Sequence, residues 1–167
     1  MEELIAPREV IGTTLVELGR DDEKIIVIDS DLGRSTRIAP FEKAFPKRFI
    51  QVGSAEENAA SIACGLAYAG FKPAFVSFTI FAIGLPWTQL RMAAYAGLPV
   101  VIIGTHPGYD VGPDGGTHQM FEDIALSRVI PEMVVLNPCD ATETKEAIKA
   151  ALQSNQICYI RIGRHPV

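Results

Sequence analysis

Apolar positions alternate along the chain between helical and strand-like periodicity. Val10, Thr14, Leu15 and Leu18 recur at helical spacing and give way to Gly19 and the charged run Arg20-Asp21-Asp22-Glu23-Lys24, which predicts an amphipathic helix and its exit. The next run, Ile25-Ile26-Val27-Ile28, is apolar and β-branched throughout, as in a strand covered on both faces, and runs into the polar turn Asp29-Ser30-Asp31-Leu32-Gly33. The alternation then repeats. A short helix is expected over Ile38 to Phe45, a strand at Phe49 to Val52, and an Ala-rich helix closing near Gly70, with Ser54 and Glu57 at capping-box spacing. A strand around Ala74 to Ser77, a helix from Leu85 to Ala96 and a buried strand Val100 to Ile103 follow. A Gly-rich loop from Gly104 to Gly116 precedes another helix, a strand at Met133 to Leu136, a helix from Ala141 to Leu152 and a last strand at Ile157 to Ile162.

This pattern predicts an α/β fold: a three-layer sandwich with a mostly parallel sheet of about six strands and helices on both faces. No repeat or linker interrupts it, so residues 1–167 are expected to form one domain. The Gly104 to Gly116 loop stands out, because unstructured loops of about 12 residues are usually functional or disordered. His106, Asp110, Asp114 and His118 fall in or beside it, which favours function.

Composition narrows the function classes. The net charge of −5 and the absence of a Lys/Arg run speak against nucleic acid, while small phosphorylated ligands stay open. Cys64, Cys139 and Cys158 are widely spaced and odd in number, suggesting neither a disulfide framework nor a zinc site. The acidic start Met1-Glu2-Glu3-Leu4 and the short apolar runs predict a soluble cytoplasmic protein without membrane association.

Four stretches share one resemblance. Val52-Gly53-Ser54-Ala55-Glu56-Glu57-Asn58, continuing to Cys64-Gly65-Leu66-Ala67, resembles the G-x-A-E-Q-N…A-x-G-L-A stretch of transketolase pyrimidine-binding domains. Trp87-Thr88-Gln89-Leu90-Arg91 is similar to the family's aromatic-x-Q-[IL]-R motif. Thr105-His106 with Val111-Gly112-Pro113-Asp114-Gly115-Gly116-Thr117-His118-Gln119 resembles T-H…V-G-E-D-G-x-T-H-Q, and Tyr159-Ile160-Arg161-Ile162-Gly163-Arg164 the closing strand. These stretches appear in family order and cover about the whole chain.

The resemblance implies a thiamine-diphosphate enzyme, in which the cofactor's C2 proton is removed by its own 4′-imino group and a carboxylate on the pyrimidine N1′ promotes that tautomer. It assigns the carboxylate to Glu56; read without context, Glu56 and Glu57 are simply first-turn acids favoured by the helix dipole. Glu57 stands where the family commonly has Gln. Aligning Phe78-Thr79-Ile80-Phe81 with the family's F-A-x-F makes Phe78 the ring on which the pyrimidine stacks, with Phe81 lining the same pocket, although aromatics beside a sheet are commonly plain core. Asp31 resembles an acid near the cofactor at the subunit interface, with a turn-forming role as its alternative. His106 and His118 resemble catalytic histidines of the substrate channel, and Asp114 the acid that contacts a donor hydroxyl. Pro113 replaces the family's Glu in that loop. Arg8 near the start of the first helix, Ser35 in the Asp-Leu-x-x-Ser turn and Arg164 on the last strand match positions that hold a sugar phosphate.

The family's diphosphate-binding domain carries a G-D-G…N motif for Mg²⁺, and no such pair occurs here, so no metal ligand is assigned to this chain. The resemblance therefore implies one subunit of a split transketolase. It would share thiamine diphosphate with a separate diphosphate-binding chain that holds Mg²⁺, transfer a two-carbon ketol unit between sugar phosphates, and self-associate as a dimer. Two alternatives stand beside it: a subunit of another thiamine enzyme, deoxyxylulose-phosphate synthase-like or 2-oxoacid dehydrogenase β-type, and a non-catalytic transketolase-like interaction protein.

Overall fold

In the computed structural model, which describes residues 4–167, six strands form one wholly parallel sheet in the order β2-β1-β3-β4-β6-β5. The strands are β1 (Ile25–Asp29), β2 (Phe49–Gln51), β3 (Lys72–Phe78), β4 (Val101–Thr105), β5 (Val134–Leu136) and β6 (Cys158–Ile162). The helices are α1 (Ile11–Asp21), α2 (Ala39–Ala44), α3 (Glu56–Tyr68), α4 (Trp87–Tyr95), α5 (Asp123–Arg128) and α6 (Ala141–Gln153). The expected three-layer α/β architecture therefore holds, and the sheet is parallel throughout.

Alternation along the strands divides the core in two. Ile28, Phe75, Ile102 and Tyr159 point to the face covered by α3, α4 and α5. Val27, Val76, Ile103 and Ile160 point to the face covered by α1, α2 and α6. Because the central strands are buried on both sides, their apolar runs carry no polar alternation. Close approach fixes one glycine here: a Cβ on Gly104 would lie 2.8 Å from the Tyr159 ring and 2.9 Å from Thr79 Oγ1.

Several local expectations are corrected. The first helix runs through Gly19 to Asp21, because Gly19 lets Phe41 and Phe45 pack against the helix; an added Cβ would sit 2.9 Å from Phe41. Arg8 lies in a separate 3₁₀ turn, Pro7–Val10, ahead of α1. The Ser54/Glu57 capping box does not form: Ala55 is the N-cap of α3 and no side chain caps it. The helix expected from Leu85 begins only at Trp87: a π-helical turn, Ile80–Gly84, precedes it, and Leu85 and Pro86 form the turn between the two. The Gly104 to Gly116 segment is mostly ordered: β4 extends to Thr105, and a kinked 3₁₀ segment spans Gly108–Asp114. Arg164 lies beyond β6, which ends at Ile162.

Candidate functional site

Strand order places the site. The chain moves from β1 outward to β2, then returns to the other side of β1 as β3, so the connections leaving β1 and β3 diverge and open a crevice at their C-terminal ends. Ser30 Oγ donates to Ser77 Oγ at 2.9 Å across the floor of this crevice. Among the described residues, three of the four non-glycine residues with left-handed backbone, Asp31 (φ 68°), Arg37 (φ 64°) and His106 (φ 58°), lie on the loops at this end. Strained φ/ψ concentrated at one end of a sheet is a mark of function.

A cleft of about 430 Å³ opens here, and it gathers seven of the ten residues that the sequence singled out: Arg8, Ser35, Phe78, His106, Asp114, His118 and Arg164. Arg34 and Arg37 also line it, so four guanidiniums face a single lining carboxylate in a protein whose net charge is −5. Burial, followed by repulsion from Arg37 and Arg164, lowers the pKa of Arg8. Its Nε is buried and lacks a hydrogen-bond partner among the described residues. An anion in the cleft would relieve the repulsion among these guanidiniums.

His106 forms the back wall at 2 % exposure. Arg8 Nη1 donates to His106 Nε2 at 2.8 Å, and because a guanidinium is only a donor, the imidazole proton must sit on Nδ1. Nδ1 in turn donates to Thr105 Oγ1 at 2.8 Å. Burial, then Arg8 and Arg164, push the His106 pKa from 6.5 down to about 3, so the ring is neutral at pH 7. The Phe78 ring lies 4.0 Å from it, centroid to centroid. His118 meets Phe78 and Phe81 edge-on at 6.2 and 5.3 Å, and its Nδ1 lies 2.9 Å from Thr117 Oγ1.

Glu56, Phe81 and Asp31 do not line this cleft. Glu56 is the first residue of α3 and is 7 % exposed. Phe81, in the π-helical turn, stacks near-parallel to Phe78 with centroids 6.3 Å apart. Asp31 is exposed in the turn after β1. Gln51, at the end of β2, joins these regions. Its Nε2 donates to Asp29 Oδ2 at 2.6 Å, while its Oε1 accepts from the backbone N–H groups of Asp31 and Gly53 at 3.1 and 2.7 Å. One side chain thus braces the Asp31 turn against the loop entering α3. The buried Asp29 carboxyl is held above its usual pKa by desolvation, which outweighs its bonds to Leu32 N–H and Gln51.

The sequence reading passed over Gln51, Arg34 and Arg37. A lone amide at the end of an otherwise apolar strand was the available signal for Gln51; the two arginines sit in an irregular turn, where periodicity says nothing.

A cleft at the strand ends, a buried acid opening α3 and a stacked aromatic pair mark this as an α/β domain with a candidate binding site at the C-terminal end of its sheet. Comparison with known proteins identifies its kind. The sequence profile of the transketolase pyrimidine-binding domain matches residues 3–167. The chain is 44% identical over 158 residues to a putative transketolase C-terminal section of Methanocaldococcus jannaschii, covering 94% of this chain and 50% of that protein. It is 36% identical over 160 residues to a 6-deoxy-6-sulfo-D-fructose transketolase subunit of a Clostridium species, covering 95% of this chain and 50% of that one. Among solved structures, a split-gene transketolase described as an inactive β4 tetramer superimposes with a TM-score of 0.87 at 42% identity, covering 99% of this chain and 53% of that chain. The chain belongs to the transketolase pyrimidine-binding domain family, and it spans half the length of the curated relatives just described.

Proposed function

We propose that this chain is the pyrimidine-side subunit of a split transketolase, transferring a two-carbon ketol unit between sugar phosphates in company with a diphosphate-binding chain. The observation that carries this reading is the cleft itself, where Arg8, Ser35, His106, Asp114, His118 and Arg164 converge although they come from loops far apart in sequence. Thiamine diphosphate, when bound, supplies the nucleophilic thiazolium carbon that takes up the ketol unit. The residues here suit its pyrimidine end: a buried carboxylate at a helix start and the stacked Phe78 and Phe81 rings. In this reading Glu56 accepts a hydrogen bond from the pyrimidine nitrogen and Phe78 offers the aromatic face. Asp31 stands near the cofactor at the interface with the partner chain, which holds the diphosphate and Mg²⁺.

Charge in the cleft divides the labour on substrate. His106 is neutral and its Nε2 is occupied by Arg8, so in this reading it receives a sugar hydroxyl once Arg8 turns from the ring to the phosphate. His118, which also meets the Phe78 ring, is the second proton-handling group. Asp114 accepts from a donor hydroxyl, while Arg8 and Arg164 take the phosphate with Ser35.

Self-association belongs to the same proposal. Tyr68 and Tyr95 are 86 % and 87 % exposed on the outer face of α3 and α4. Met92 and Tyr95 also line an open apolar groove. Surface of this kind, on a chain similar to a protein described as a β4 tetramer, supports a homo-oligomer that gains activity on meeting its partner. The test is to purify this chain together with the diphosphate-binding chain encoded by its source and to assay ketol transfer from a ketose phosphate. Transfer that requires both chains, thiamine diphosphate and Mg²⁺ is expected; transfer by neither mixture nor single chain, with every ketose phosphate tried, rejects the reading.

A further inference from the structure

Asp110 lies outside the cleft and matches none of the motifs that carry the family resemblance, yet it makes the contact that fixes one wall of the cleft. Its Oδ2 accepts the backbone N–H of Arg164 at 3.0 Å. Its Oδ1 lies 3.8 Å from His165 Nε2. The approach is tight enough that a Cβ on Gly163 would sit 3.2 Å from Oδ2. On the other side of the same backbone, Arg164 Nη1 donates to the Val111 carbonyl. Gly112 is what lets the guanidinium lie there: its φ of 66° is in the left-handed region, and a Cβ would come 2.6 Å from Arg164 Nη1. Backbone and side chain of Arg164 are therefore both held by the 3₁₀ segment Gly108–Asp114, although Arg164 itself lies beyond β6.

We propose that Asp110 is a positioning residue that sets the affinity of the cleft for phosphorylated sugars by anchoring Arg164, a role that rests on reading the cleft as a sugar-phosphate site. The carboxylate lines the groove on the opposite side of the Gly163–His165 segment, together with Arg161 and Asn137, whereas Arg164 lines the phosphate cleft. Its bond ties the terminal segment down and directs the guanidinium inward. Electrostatics alone gives the opposite expectation: a negative charge near the cleft repels phosphate, so removing it would tighten binding. The two accounts differ in sign.

Isothermal titration of the full chain with ribose 5-phosphate and with ribose separates them. The unaltered chain is expected to bind ribose 5-phosphate more tightly than ribose. Asp110→Ala should weaken ribose 5-phosphate about tenfold, the size of losing one charge-assisted hydrogen bond, and leave ribose unchanged. Asp110→Asn, which keeps an acceptor oxygen, should stay within about threefold of the unaltered chain. In the Arg164→Ala background, Asp110→Ala should add no further loss, because its effect runs through that side chain. If Asp110→Ala does not fold, Asp110→Ser, polar but too short to reach, takes its place. Binding of ribose 5-phosphate that is unchanged or tighter in Asp110→Ala overturns the proposal, as does an equal loss with Arg164 already removed. Failure of the unaltered chain to prefer ribose 5-phosphate over ribose instead overturns the sugar-phosphate reading itself.

Discussion

Protonation of His106 should limit stability in mild acid. In the folded chain its pKa falls from 6.5 to about 3, because the ring is buried and faces Arg8 and Arg164. Below pH 6.5 the unfolded chain takes up a proton at this residue that the folded chain refuses until about pH 3, so stability is lost as pH falls through that window. At pH 5 the cost is set almost wholly by the unfolded value and comes to about 2 kcal/mol relative to pH 7.5, at about 1.4 kcal/mol per unit. Any folded-state value below about 4 gives the same figure, so the prediction does not depend on the depth of the shift. The assay is urea denaturation at both pH values for the unaltered chain and His106→Gln. His106→Gln removes the titrating group while keeping a side chain that can accept from Arg8. Groups titrating elsewhere are common to both proteins and cancel when the two losses are compared. The variant should lose about 2 kcal/mol less than the unaltered chain between the two pH values. Equal losses would refute the neutral, Arg8-bonded His106.

Three further outcomes follow from the contacts. Arg161→Ala leaves the fully buried Asp123 carboxylate with the Tyr159 hydroxyl as its remaining hydrogen-bond donor in place of a 2.8 Å ion pair, and chemical denaturation should show a loss of about 3 kcal/mol. Gly104→Ala forces a methyl against the Tyr159 ring and Thr79, and should cost about 2 kcal/mol by the same measurement with the fold retained in circular dichroism. Gln51→Ala releases the turn at Asp31 and the loop entering α3 together. It should cost about 1 kcal/mol of stability and speed amide exchange at both Asp31 and Gly53, read by NMR.

Runs such as Ile25 to Ile28 and Val100 to Ile103 made the sheet legible from sequence, because strands buried on both faces leave an unbroken apolar signature. Gly19 misled for a physical reason. A glycine in a helix pattern reads as a stop, but here it serves the packing of Phe41 and Phe45, a tertiary demand that local propensity cannot report. The π-helical turn at Ile80–Gly84 escaped notice for a similar reason, since one extra residue per turn leaves no mark in an apolar stretch. Within the site, Arg8, His106 and Arg164 could be named from the family pattern, yet their mutual contacts could not: the Arg8–His106 bond joins residues 98 positions apart. Arg34, Arg37 and Gln51 lay outside every pattern, and Asp110 was marked only by its place in the Gly-rich loop, because loop and strand-end positions gain their roles only from what the fold brings beside them.

Glu56 remains the centre of the account, a carboxylate that is 7 % exposed at the first turn of α3. The most direct measurement is single-turnover ketol transfer by the two-chain complex carrying Glu56→Gln, alongside thiamine-diphosphate binding to the same complex. An amide keeps the size and loses the charge, so assembly should survive while transfer falls by at least about a hundredfold, the scale of losing a group that drives proton transfer. Transfer within about threefold of the unaltered complex would contradict the assignment of Glu56 as the activating carboxylate.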